Sequence, residues 1–85
     1  MLLQEAIAQR IKKLIEGNGE DIGSFCHAVG MSVESAKRLV AGKNSDAKIS
    51  LLKKIANHFG LTLVQFFNDE LFLSDELVLE RYVMR

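Results

Sequence analysis

The 85-residue chain has no proline, no tryptophan, one cysteine, one tyrosine and a formal net charge of zero at pH 7. Each scarcity removes a class of protein. Without proline, and with β-branched residues scattered singly, the composition favours helices over sheet. A lone Cys26 can form neither an internal disulfide framework nor a thiolate cluster for zinc, so no cofactor is expected. The first apolar stretch is interrupted by Glu5 and Arg10, which argues against a signal peptide or a membrane span. A cytoplasmic protein is the expectation. What the chain does have is apolar residues, 48% of the total, enough for one small domain with an economical core.

The zero balance conceals a polarised chain. Residues 1–36 carry three bases and five acids, and residues 55–85 carry two bases and five acids. Between them, residues 37–54 carry Lys37, Arg38, Lys43, Lys48, Lys53 and Lys54 against Asp46 alone. A basic middle between acidic ends suits a surface that faces phosphates. A solvated helix face produces the same charge pattern, so charge by itself leaves both readings open.

Helical periodicity begins with Ile7, Ile11, Leu14 and Ile15 and stops at Gly17-Asn18-Gly19. Asp21 can cap a second helix with Ile22, Phe25, Cys26 and Val29 on one face, closing at Gly30. Ser32 can cap a third, with Ala36, Leu39 and Val40 inward and Gly42 as its stop. After a polar loop with Asp46 as N-cap candidate, Ile49, Leu52, Ile55, Ala56 and Phe59 form the stripe of a fourth, ended by Gly60. Thr62 and Gln65 form a capping box for a fifth, with Leu63, Phe66 and Phe67 apolar. Ser74-Asp75-Glu76 opens one more helix, in which Val78, Leu79, Tyr82 and Val83 form a stripe while Leu77 and Met84 lie on the other flank. One small core cannot bury both flanks, so a partner chain is expected there.

The stretch from Asp21 to Gly42 carries the function. Two short helices are joined by Gly30-Met31-Ser32, in which glycine permits a sharp left-handed turn, methionine tucks beneath the corner and serine caps the next helix. Small Cys26 and Ala36 sit where the two helices would cross. Together with Leu52, Ile55 and Ala56, and with Gly60 to Leu63, these residues resemble the phage repressor and Cro-like (XRE-type) helix-turn-helix family. The resemblance runs from about Ala6 to Phe67. It implies an all-α, five-helix, λ-repressor-like DNA-binding domain over 1–70, and the two apolar flanks leave 71–85 as an additional C-terminal segment for dimerisation or partner contact.

In that family the recognition helix, here 32–41, reads base edges with its first exposed residues. Carried over by position, the readers are Val33, Glu34, Ser35, Lys37 and Arg38. The phosphate contacts fall on Asp21 to Ser24 and on Lys43 and Asn44. The sequence departs from its relatives at Ile22 and Val33, where many members have glutamines, and at Glu34, which brings negative charge to the groove. The loop after Gly42 is about one residue longer than usual and lacks the common proline. Val33 can meet a thymine methyl, Glu34 can accept from cytosine N4 and Arg38 can bond guanine bidentately, each pairing worth about 1–3 kcal/mol of discrimination.

Other residues invite chemistry that their setting does not favour. Cys26 and His27 are neighbours on a helix, pointing about 100° apart, and Cys26 falls on the core face as an inert thiol. His27 is expected on the outer face. His58, near a helix C-terminus, favours the dipole. Gly17-Asn18-Gly19 lacks the lysine and hydroxyl of a phosphate loop. Phe66 and Phe67 read as core and dimer contact, and Asp69, Glu70, Asp75 and Glu76 as solvated helix ends. No catalytic constellation stands out, and a non-enzyme is expected.

Three functions fit these readings. The first is a sequence-specific, double-stranded-DNA-binding transcriptional regulator, such as a phage-type repressor or a restriction controller. It would act as a homodimer through Phe66, Phe67, Leu71, Val78, Leu79, Tyr82 and Val83. The second is a protein-interaction module, such as an antitoxin covering a toxin with its C-terminal segment. The third is a domain that keeps the fold and has lost DNA binding.

Overall fold

The computed structural model describes residues 1–44 and 47–73. They form an all-α fold of five helices: α1 (Leu3–Gly17), α2 (Ile22–Val29), α3 (Val33–Val40), α4 (Ile49–His58) and α5 (Leu63–Phe67). A single 3-10 turn, Glu70–Phe72, follows. The expected helix over 74–85, with Leu77, Val78, Leu79, Tyr82, Val83 and Met84, lies outside the described residues. No described helix is long and apolar enough to cross a membrane.

Local chemistry sets most boundaries. Asp21 Oδ1 accepts the Ser24 amide at 2.7 Å, and Ser32 Oγ accepts the Ser35 amide at 3.1 Å. Thr62 Oγ1 accepts from the Gln65 amide at 3.1 Å while Gln65 Oε1 accepts from the Thr62 amide at 2.9 Å, a complete capping box. At the start of α1, Glu5 reaches back to the Leu2 amide at 2.8 Å, so this helix begins a full turn before its apolar periodicity does. Helix α4 differs from the sequence expectation. Its N-cap is Lys48, which makes no side-chain cap, and Asp46 lies outside the described residues.

The core is a cluster of Ile7, Ile11 and Ile15 from α1, Phe25 and Val29 from α2, Leu39 from α3, Leu52, Ile55 and Ala56 from α4, and Phe66 from α5. Helix α1 packs along α3, which in turn packs on α2, and α4 bridges α2 and α5. Ala6 is wholly buried although the sequence periodicity passed over it. The small faces around it let α1 approach the end of α3, where a Cβ on Gly42 would stand 3.4 Å from the Glu5 backbone. Gly42 itself has φ +74°, so its backbone conformation calls for glycine, whereas a Cβ there would make only ordinary contact. Ile49 departs from its expected place: it is 63% exposed. As the first residue of α4, a turn ahead of Leu52, it projects past the edge of the core.

Two polar contacts tie distant parts of the chain together. Arg10 of α1 donates from Nε to the Phe66 carbonyl at 2.7 Å and from Nη2 at 2.9 Å to the Gln65 carbonyl, which also accepts the Asn68 amide at 3.2 Å, so it secures the C-terminal end of α5. Asp69 receives Lys13 at 2.9 Å and Arg10 at 3.5 Å, and accepts the Leu71 amide at 3.0 Å. The Leu71 amide, then Lys13, hold its carboxyl below the usual carboxylate range. Asp69 is therefore a half-buried anchor and not a solvated helix end, whereas Glu70 is exposed. Phe72 packs against the core, so the folded body continues past residue 70.

The second contact joins His58 of α4 to Glu20 in the α1–α2 loop, with Nε2 2.8 Å from both carboxylate oxygens. The imidazole also stands edge-on to Phe25 and Phe59, at 5.9 and 4.8 Å. Its structural role is thus more specific than a favourable interaction with a helix dipole.

Candidate nucleic-acid interface

The candidate site is built on α2, the turn Gly30-Met31-Ser32, and α3. Gly30 closes α2 at φ +82°, and the amides of Gly30 and Met31 both donate to the Cys26 carbonyl at 2.9 Å. Met31 packs half-buried against the core beneath the corner, and Ser32 caps α3 at once. Cys26 and Ala36, 4% and 0% exposed, face the core and allow the two short helices to pack closely. The Cys26 thiol donates to the Gly23 carbonyl at 3.2 Å, whereas His27 is exposed, so the two side chains diverge.

Burial divides α3 into two faces. Ala36 and Leu39 are buried and Val40 half-buried, while Val33, Glu34, Ser35, Lys37 and Arg38 are exposed. Val33 is 45% exposed, so an apolar side chain stands on this outer face beside the polar ones. Ser32 Oγ donates to Ser35 Oγ at 2.9 Å, which leaves the Ser35 hydroxyl proton available to another acceptor. The five expected base readers therefore share one solvent-facing surface.

The expected phosphate contacts divide differently. At the start of α2 the Ser24 amide is already committed to Asp21, whose carboxyl is held below the usual range by the Ser24 amide and hydroxyl. The Ser24 amide thus already has a carboxylate partner within the chain. Lys43 is exposed after α3. Asn44 lines an open depression of about 280 Å³ with Ala47, Lys48, Ser50, Leu51 and Lys54. The helix end beside it has no side-chain cap, so dipole and ammonium groups there share one sign. Sequence reading overlooked Lys48, Ser50 and Lys54 as a group; the signal was the basic run placed against a helix start.

Pairing separates the lysines and arginines further. Arg10 and Lys13 are engaged by Asp69, whereas Lys37, Arg38, Lys43, Lys48, Lys53 and Lys54 are all exposed and enter no ion pair among the described residues. Among the described residues, exposed positive charge outside any ion pair is thus concentrated on α3, the segment after it and α4, with Lys12 of α1 as a further such residue. Among the described residues no cluster of histidine, cysteine and carboxylates could hold a metal ion. Comparison with protein-family models, curated proteins and solved structures returned no match.

Proposed function

We propose that the chain is a sequence-specific double-stranded-DNA-binding regulator of transcription, acting as a homodimer with α3 in the major groove. The observation that carries this reading is the outer face of α3. It holds Val33, Glu34, Ser35, Lys37 and Arg38 exposed on a helix fixed from within by Ala36 and Leu39 and at its start by Ser32. A single helix of this kind fits the major groove, and arginine and lysine there suit guanine. Lys43, Lys48 and Lys54 suit the flanking phosphates.

Few bases face the groove from one chain, so two chains on half-sites one turn apart supply the missing affinity. Phe66 is excluded from the dimer contact because it is 0% exposed. Phe67 and Leu71 are half-buried, and Val64 and Leu73 are 80% and 75% exposed, which leaves apolar surface at this end for a second copy. The remaining expected contacts, Val78, Leu79, Tyr82 and Val83, lie outside the described residues. A compartment shared with DNA, the cytoplasm, goes with the reading.

Binding of genomic duplex fragments across a salt series tests it. Affinity should fall linearly on a log–log plot. Lys37→Ala should reduce the slope by about 1 if it meets a phosphate, and Arg38→Ala should cost about 1–3 kcal/mol if it meets a guanine. Salt-independent retention, or variants that bind as the parent does, would refute the assignment. The exposed Val64 and Leu73 also favour a second reading, a protein-interaction module such as an antitoxin. Co-purification of a small protein partner without DNA retention would select that alternative.

A further inference from the structure

We propose that Glu34 is the residue by which α3 selects a base. Its carboxylate accepts the groove-facing N4–H of a cytosine, so that binding tolerates a methyl group at cytosine C5 and is blocked by one at N4. The inference rests on the duplex-DNA reading above and deepens it.

Glu34 is the second residue of α3 and is exposed. Lys37 and Arg38 follow at three and four residues, the spacings at which opposite charges on a helix ordinarily pair. No ion pair joins them among the described residues, so all three charged groups stand available on one face. A carboxylate entering a groove walled by phosphates is repelled unless a donor receives it. The major groove offers two base donors, cytosine N4 and adenine N6. On adenine the donor lies beside N7, an acceptor, which an ionised carboxylate cannot satisfy because it has no proton to give. Cytosine presents N4 with no acceptor on the same edge, so an acid prefers it.

The paired guanine then presents N7 and O6, the acceptors that a base one turn further along α3 can engage. Glu34 with Lys37 or Arg38 thus complements both halves of one base pair. Val33, immediately before Glu34 and 45% exposed, provides an apolar neighbour for a methyl group at C5. One N4 proton is held in the pair with guanine, so methylation at N4 removes the other, the one that faces the groove. An acid in the first turn also favours the helix dipole, but that role makes no demand on base identity.

The test is selection from a randomised duplex pool with the parent, Glu34→Gln and Glu34→Ala. The selected duplex is then synthesised with 5-methylcytosine or N4-methylcytosine at the position that changes between the pools. The expected result is a cytosine position in the parent motif, replaced by adenine with Glu34→Gln and degenerate with Glu34→Ala. N4-methylation should weaken parental binding roughly 5- to 150-fold, the range of one base contact, while C5-methylation leaves it within about twofold. Thermal melting of the variants establishes that they fold. Identical motifs from all three proteins, or a uniform gain in affinity on removing the acid, would overturn the proposal while leaving DNA binding in place. A parent that selects no duplex would instead overturn the DNA reading, and this inference with it.

Discussion

Arg10 offers the sharpest perturbation of the fold. Its side chain is 15% exposed and donates to the Phe66 and Gln65 carbonyls, at 2.7 and 2.9 Å, at the end of a five-residue helix too short to hold itself. Arg10→Met keeps most of the apolar stem and removes the donors. A hydrogen bond from a charged group contributes about 1.5–3 kcal/mol, and the Gln65 contact, being exposed, counts for less. The expected loss is about 2–3 kcal/mol, or roughly 10–20 °C in melting temperature for a domain of this size. Lys13→Met removes the shorter ion pair to the same Asp69, yet Lys13 is 56% exposed and should cost at most about 1 kcal/mol. Arg10→Lys keeps the charge without the planar fork and should recover less than half of the loss. Thermal and urea unfolding followed by far-UV circular dichroism measures all three. If Arg10→Met melts with Lys13→Met, or Arg10→Lys behaves as the parent does, the carbonyl contacts do not hold α5 in place.

Gly30→Ala should destabilise by about 1–2 kcal/mol, a purely conformational cost, because a Cβ there meets nothing within 4 Å while φ stays at +82°. Gly17→Ala, at the helical end of α1 and equally open, should instead stabilise by about 0.4–1 kcal/mol, and chemical denaturation of the pair distinguishes backbone strain from space. The pH dependence has a defined sign. The Asn18 amide, then His58, hold Glu20 below the ordinary carboxylate range, as the Leu71 amide and Lys13 do for Asp69. Each group contributes stability that is fully present above the unfolded carboxylate pKa and is lost as pH falls through the depressed folded value. Glu20→Gln and Asp69→Asn should therefore flatten the acid limb of melting temperature against pH; unchanged limbs would contradict both contacts.

The helix ends were largely legible because their causes are local. Asp21, Ser32 and the Thr62/Gln65 pair each cap an amide within three residues, and Gly30 turns the chain by its own backbone freedom. The start of α4 was misplaced for the same reason: Lys48 offers no capping side chain, so nothing local announces it. The exposed face of α3 was also legible, since Ala36 and Leu39 fix the inner face and periodicity assigns the outer one. Ser24 carries a feature that its residue type does not announce. The residue type suits a phosphate, but its amide is already engaged by Asp21.

What the sequence by itself determined, then, is the five helices of the described residues, the caps of α2, α3 and α5, the tight turn before α3 and the residues that α3 turns outward. These follow from interactions spanning a few residues. Only the tertiary structure decided which charges remain available and which aromatic rings are hidden. Arg10 meets the Phe66 carbonyl across 56 residues and His58 meets Glu20 across 38. Packing alone buries Phe66 completely while leaving Ile49 at the edge of the core. Identical residue types acquire opposite roles through contacts that no local pattern encodes. Arg10 and Lys13 are engaged within the fold, and Lys37 and Arg38 are left exposed.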